Sequence, residues 1–130
     1  MILVDTSVWI DLFGMGGPAL SPQAFARLAT CGPIVQEVFQ GLRAGADTEE
    51  FRGAFLSLPR LSDPMPLEIF LSAAELYRYG KSRGYTLRSP VDCLIAAVAI
   101  QNRVPVWHRD RDFDVIARFS RLETVRRLRE

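Results

Sequence analysis

Five carboxylates stand where chemistry could be done: Asp5, Glu37, Asp92, Asp110 and Asp112. The chain has one histidine and no glycine-rich phosphate loop. Its two cysteines, Cys31 and Cys93, are far apart and lack CxxC or Cys/His spacing, which argues against zinc and reads as buried, reduced thiols. Mg²⁺ and Mn²⁺ take oxygen ligands and require neither His nor Cys. Phosphodiester hydrolysis needs an activated water and a neutralised transition state, and such cations supply both. Carboxylates without soft ligands therefore point to metal-assisted hydrolysis.

Each acid taken alone has an ordinary alternative. Asp5 directly follows the apolar run Ile2-Leu3-Val4, and a charge at the end of a buried strand is costly unless exposed, paired or metal-bound. It could equally cap a helix starting at Thr6. Asp92 sits three residues after Ser89 and could complete a variant capping box, yet it heads an apolar helix close to the core. Glu37 lies off the centre of its helix's apolar stripe, with Gly41 leaving space one turn on; it could simply be solvated. Asp110 and Asp112 lie in His108-Arg109-Asp110-Arg111-Asp112-Phe113-Asp114, which could be a salt-bridged loop with Asp112 as N-cap. The alternating Asp residues resemble a calcium loop, but an EF-hand needs Gly and Glu where Val115 and Arg121 stand.

The elements that must position these acids follow from periodicity and punctuation. Ile2-Leu3-Val4 reads as a buried strand, and Thr6 to Phe13 as a helical turn or two. Gly14 to Pro18 is a loop. Ser21-Pro22 starts a helix carrying Phe25, Leu28 and Ala29 on one face and stopping near Gly32-Pro33. Ile34 to Leu42 has helical spacing. Asp47 and Glu50 predict a capping box for the next helix, with Phe51, Phe55 and Leu58 as its stripe. Pro59, Pro64 and Pro66 bracket an extended piece around Leu61. The longest helix runs from about Leu67 to Arg83, with Ile69, Phe70, Ala73, Leu76 and Tyr77 facing the core. Ser89-Pro90 opens a helix whose continuation from Cys93 to Ile100 is apolar all round, hence central. Val104 to Trp107 is a strand, Asp112 to Phe119 a short helix, and Leu122 to Val125 an edge strand. Strands separated by helices predict an α/β fold with a mainly parallel sheet. Ligands of such sheets bind beyond the strands' carboxyl ends, where Asp5 and Asp110 fall.

At 130 residues the chain fits a single domain spanning 1–130. Hydrophobic residues make up 48% and charges are mixed throughout, so the chain is a folded protein and not a disordered one. No apolar run approaches the roughly 20 residues that span a bilayer, and MILVDTSVWIDLF lacks the marks of a secretory leader, so a cytoplasmic location is expected. Fifteen of the sixteen basic residues are Arg. If the five acids above serve one metal site, ten acids remain against sixteen bases, a cationic remainder suited to nucleic acid.

Four segments together resemble a known family. Ile2-Leu3-Val4-Asp5-Thr6-Ser7, Pro33-Ile34-Val35-Gln36-Glu37-Val38, Arg88-Ser89-Pro90-Val91-Asp92-Cys93-Leu94-Ile95-Ala96-Ala97 and His108-Arg109-Asp110-Arg111-Asp112-Phe113 are similar to PIN domains, and in order and spacing to the VapC toxins of type II toxin–antitoxin pairs. The resemblance covers nearly the whole chain. It implies a three-layer fold with a central parallel sheet, Mg²⁺- or Mn²⁺-dependent endoribonuclease activity on RNA such as tRNA or rRNA, an inhibiting VapB-like antitoxin, and homodimerisation. It places Asp5, Glu37, Asp92 and Asp110 on the family's acidic quartet and Asp112 on a nearby supporting acid. Thr6 or Ser7 falls where a hydroxyl bonds within the cluster. His108 departs from the small hydroxyl residue often found at its place. On this reading Asp5 and Asp92 mainly hold the metal, Glu37 and Asp110 complete the shell, and one of the latter two orients water.

Two surfaces are nominated for partners. Arg78, Lys81, Arg83 and Arg88, with Tyr79 and Tyr85, combine cations and rings as an RNA groove would, or else form a solvated helix end. Trp9, Phe13, Phe39 and Leu42 adjoin Asp5 and Glu37 and could line an antitoxin groove or belong to the core. An RNA-processing nuclease outside a toxin–antitoxin pair and a non-catalytic, partner-binding PIN domain remain as alternatives. A receiver domain lacks its late-strand Lys, since Lys81 lies at a helix. A haloacid-dehalogenase phosphatase lacks its second Asp, since position 7 is Ser.

Overall fold

The computed structural model describes residues 1–14 and 20–128; for residues 13 and 14 the backbone alone is described. Much of the loop expected at Gly14 to Pro18, and the Phe13 side chain, lie outside the described residues. Among the described residues a four-stranded, wholly parallel sheet is flanked by seven helices. The central strands are β1 (Ile2–Val4) and β3 (Val106–Trp107), which pair directly; β2 (Leu28–Ala29) and β4 (Thr124–Val125) form the edges. All the residues of β1, β2 and β3 are buried, as a sheet covered on both faces requires.

The helices are α1 (Thr6–Gly14), α2 (Pro22–Phe25), α3 (Gly32–Gly41), α4 (Glu49–Leu56), α5 (Leu67–Ser82), α6 (Pro90–Asn102) and α7 (Arg111–Phe119). α6 is buried on nearly every side through Ile95, Ala96, Ala97, Val98 and Ala99, in keeping with its unbroken apolar sequence. It ends at Arg103, whose left-handed φ of 55° closes the last turn. α5 buries Ile69, Ala73 and Gly80, a stripe at i, i+4 and i+11. Gly80 permits a close approach to α7: a Cβ there would stand 2.8 Å from the tip of the Phe119 ring. Cys31 and Cys93 are buried free thiols.

Several boundaries differ from the sequence expectation, each for a local reason. Ser21 caps α2 by accepting from the Ala24 N–H, but that helix is a single turn; Leu28 and Ala29 instead pair with Ile2 and Leu3 as β2. An apolar pair is too short for its period to distinguish helix from strand. α4 is capped by Thr48, whose hydroxyl accepts from the Phe51 N–H, while Asp47 accepts from Nε and Nη2 of Arg52 at 2.6 and 2.9 Å. Asp110, not Asp112, caps α7. Ser89 makes no side-chain cap bond. Phe70 is 49% exposed and so is not a core residue, whereas its neighbour Ile69 is fully buried.

The contrast on α5 is testable. Ile69→Ala is expected to lower stability by about 3 kcal/mol, since it leaves a cavity in a core that cannot fully collapse. Phe70→Ala should cost under about 1 kcal/mol at dilute protein concentration, as surface truncations do. Urea denaturation with an unchanged m-value provides the measurement; equal losses would contradict the assigned core face.

Candidate acidic metal centre

The sheet's carboxyl ends carry the acids. Asp5 stands directly after β1 and is only 4% exposed. Its Oδ2 accepts from the Ser7 backbone N–H at 3.0 Å and from the Ser7 hydroxyl at 2.6 Å. Helix capping and membership of the acidic cluster are thus served by one side chain. Ser7 Oγ in turn accepts from the Arg109 N–H at 2.9 Å, tying the loop after β1 to the loop after β3. Thr6 Oγ1 donates to Glu37 Oε1 at 3.2 Å, so both hydroxyls nominated as supports touch an acid.

One oxygen from each of Asp92, Asp110 and Asp112 lies within 4.8 Å of the other two. Neighbouring ligands of an octahedral Mg²⁺ ion stand about 3.0 Å apart and opposite ones about 4.2 Å, so these oxygens would draw closer together around a single ion. The donor set is wholly carboxylate, which suits a hard cation. Sequence reasoning gave Asp5 and Asp92 the leading part; the geometry groups Asp92 with Asp110 and Asp112, while Asp5 engages Ser7.

Electrostatics tie all five acids together. Burial, then the charges of Asp110, Asp5, Asp112 and Glu37, push the Asp92 carboxyl up to about 8. Burial raises Asp5 as well, against the Ser7 bonds, with Asp110 adding to the rise. Glu37 is raised by burial against its Thr6 bond, with Asp5 and Asp110 contributing. Five carboxyls crowded in this way favour either a shared proton or a cation.

His108 is fully buried beside the cluster. Its Nδ1 accepts from the Asp110 N–H at 3.2 Å, and its Nε2 lies 3.2 Å from Asp114 Oδ1 without hydrogen-bond alignment. Burial outweighs the pull of Asp114 and holds the ring below its ordinary 6.5, so it is neutral at pH 7 with its proton on Nε2. Asp114 is paired in turn with Arg126. Residue 108 therefore supports Asp110 as an acceptor, which its departure from a small hydroxyl did not reveal.

The basic cluster is divided. Arg78 and Lys81 line an open groove with Glu75, Tyr79 and Ser82, and Arg83 lies over the Tyr79 ring at 4.9 Å. Arg88 reaches instead to the acids, 3.3 Å from Asp112 and 3.7 Å from Asp110. Of the apolar set, Trp9 is buried edge-on to Phe55, and Phe39 packs edge-on against Phe51 and Phe55. Trp9 and Leu42 do line a cavity of about 130 Å³, with Val38, Gly41 and Ile10 among its walls. Ile10, 55% exposed, was missed by the sequence reading, where it is one apolar residue among several on α1.

The raised acids give stability a definite pH dependence. An unfolded chain titrates Asp92 near 3.8, so between there and about 8 the folded protein holds a proton the unfolded chain has released. Asp5 and Glu37 act in the same direction. His108 acts oppositely, but only as pH falls through 6.5. In EDTA, the Tm is expected to rise as pH falls from 8 to 6.5. Asp92→Asn should flatten that rise and raise the Tm at pH 8. A wild-type profile that is level over this interval would contradict the crowding described.

The chain's relatives agree with this architecture. The family model described as PIN domain matches residues 2–119. Ribonuclease VapC11 of Mycobacterium tuberculosis and a VapC ribonuclease of Mycobacterium bovis are each 39% identical, over 96% of this chain and 98% of their own. The VapBC-5 toxin–antitoxin structure of M. tuberculosis matches with a TM-score of 0.62 at 25% identity, over 95% of this chain and 96% of that one. FitAcB of Neisseria gonorrhoeae matches with a TM-score of 0.69 at 18% identity, over 95% and 96%, a likeness of fold alone. The chain belongs to the PIN-domain family, among its VapC ribonucleases.

Proposed function

We propose that this chain is the toxin of a type II toxin–antitoxin pair, an Mg²⁺- or Mn²⁺-dependent endoribonuclease acting in the cytoplasm. The observation that carries the reading is the convergence of Asp92, Asp110 and Asp112, one oxygen of each within 4.8 Å of the others, with Asp92 pushed up to about 8. The names of the relatives support it. Asp92, Asp110 and Asp112 would hold the cation, with Asp5 close by. When bound, the cation supplies Lewis acidity toward the phosphate and acidifies water.

The chain's own groups do the rest. Glu37 has one oxygen occupied by the Thr6 hydroxyl. Its other oxygen is the proton acceptor for attacking water, and burial raises the proton affinity of Glu37, as suits a base. Ser7 holds Asp5 and the Arg109 backbone together, so the acids keep their positions as charge develops. Arg78, Lys81 and Arg83, with Tyr79, form the approach for RNA, offering cations to phosphate and a ring to a base.

The antitoxin is proposed to lay an apolar segment along Trp9, Ile10, Val38 and Leu42 and to place a cation among the acids. The solved VapBC complexes support a partner of this kind. The exposed apolar residues Leu67, Phe70 and Leu71 of α5 offer a face for a second copy of the chain.

Purified protein is expected to cleave RNA with Mn²⁺ and to lose that activity in EDTA. Asp92→Asn should abolish cleavage while the protein stays folded; full activity in chelator would refute the metal mechanism. In cells, Ile10→Asp should still arrest growth, yet co-expression of the cognate antitoxin should no longer relieve the arrest. Undiminished relief would move the antitoxin contact to another face.

A further inference from the structure

Arg88 is the one described cation that reaches two members of the acidic triad. Its Nε lies 3.3 Å from Asp112 Oδ1 and a terminal nitrogen 3.7 Å from Asp110 Oδ1. Both contacts use a single oxygen and neither is short, so the fork that Arg can offer a carboxylate is not engaged. The root of this side chain is fixed: Leu87 is buried against Gly80, and Tyr85 stacks on Phe119 at 5.3 Å. The side chain itself is 59% exposed, so water borders the guanidinium on the side away from the acids. Asp92, the third member, has no basic group within ion-pair distance among the described residues. The guanidinium therefore compensates part of a cluster that a divalent cation would compensate more fully.

We propose that Arg88 and the divalent cation share Asp110 and Asp112: the guanidinium neutralises them in the metal-free protein, yields to the cation, and then binds an RNA phosphate. The inference rests on the metal-nuclease reading and adds to it a residue with two successive partners. Once the cation offsets the two charges of Asp110 and Asp112, the guanidinium loses their attraction and is repelled by the cation beside it. A phosphate drawn to that cation lies within reach of the same side chain. The planar fork, unused by the carboxylates, matches phosphate oxygens. Binding of the cation thereby prepares the substrate contact without any movement of the sheet or helices.

The first test is calorimetric titration of Mn²⁺ into the whole chain, without RNA. Arg88→Gln is expected to tighten Mn²⁺ binding roughly five- to twentyfold, the effect of a unit charge a few ångströms from a divalent ion in largely aqueous surroundings. Arg88→Lys should stay near wild type. Structural damage would weaken binding, so the direction of change separates the two explanations. Equal or weaker affinity in Arg88→Gln overturns the sharing while leaving the nuclease reading intact. Failure of the wild type to bind Mn²⁺ overturns both. The second test takes kcat/KM for a short single-stranded RNA at saturating Mn²⁺ over a range of salt. Arg88→Gln should make the log–log slope shallower by about 0.7, one phosphate contact fewer, with Arg88→Lys restoring it. Tighter Mn²⁺ binding with an unchanged slope would overturn the phosphate role.

Discussion

Holding several negative charges against one another in a partly dry recess is the constraint on which this structure turns. Water would screen such charges, and burial removes that screening. Asp5 and Asp92 are almost wholly buried, and Glu37, Asp110 and Asp112 act on them through space. The fold meets this demand with hydrogen-bond donors of its own. Ser7 supplies two bonds to Asp5, Thr6 one to Glu37, and the Asp112 backbone one to Asp110. Each donor belongs to the first turn of a helix, where backbone N–H groups are unpaired and the dipole favours negative charge.

Those helix starts exist where they do because of the sheet. β1 and β3 are adjacent and parallel, so the loops following them leave on the same side. α1 and α7 then open beside one another, and α6 brings Asp92 in from its own first turn. Residues that anchor the chain and residues that carry charge alternate closely. Leu3 and Val4 are fully buried next to Asp5, as Cys93 and Ile95 are beside Asp92. The recess is rigid because its walls are core.

Much of this was legible in the sequence. The strands at Ile2–Val4 and Val106–Trp107, the central helix after Pro90 and the edge strand near Val125 all follow from apolar runs and their punctuation. The acids themselves could be named because their types suit one chemistry and their positions fall at strand ends. Contacts depending on distance along the chain were not legible. Asp47 and Thr48 are equally good caps in sequence, and an arginine elsewhere in the turn decides between them. Phe70 has helical phase adjacent to the buried stripe, yet it stands clear of the core because Ile69 and Ala73 already fill the contact. Arg88 looked like part of a surface patch because its partners are 24 residues away or nearly so.

The pairing of β1 with β3 also governs when the acids can meet. The Ser7 hydroxyl and the Arg109 amide that join the two halves of the recess are 102 residues apart. During synthesis the first strand has no central neighbour until Val106 and Trp107 have emerged, and such distant pairings form slowly. A growing chain carries Asp5 and Glu37 long before it owns Asp110 and Asp112. By topology alone, the nascent polypeptide cannot bring all five acids together until β3 has paired with β1.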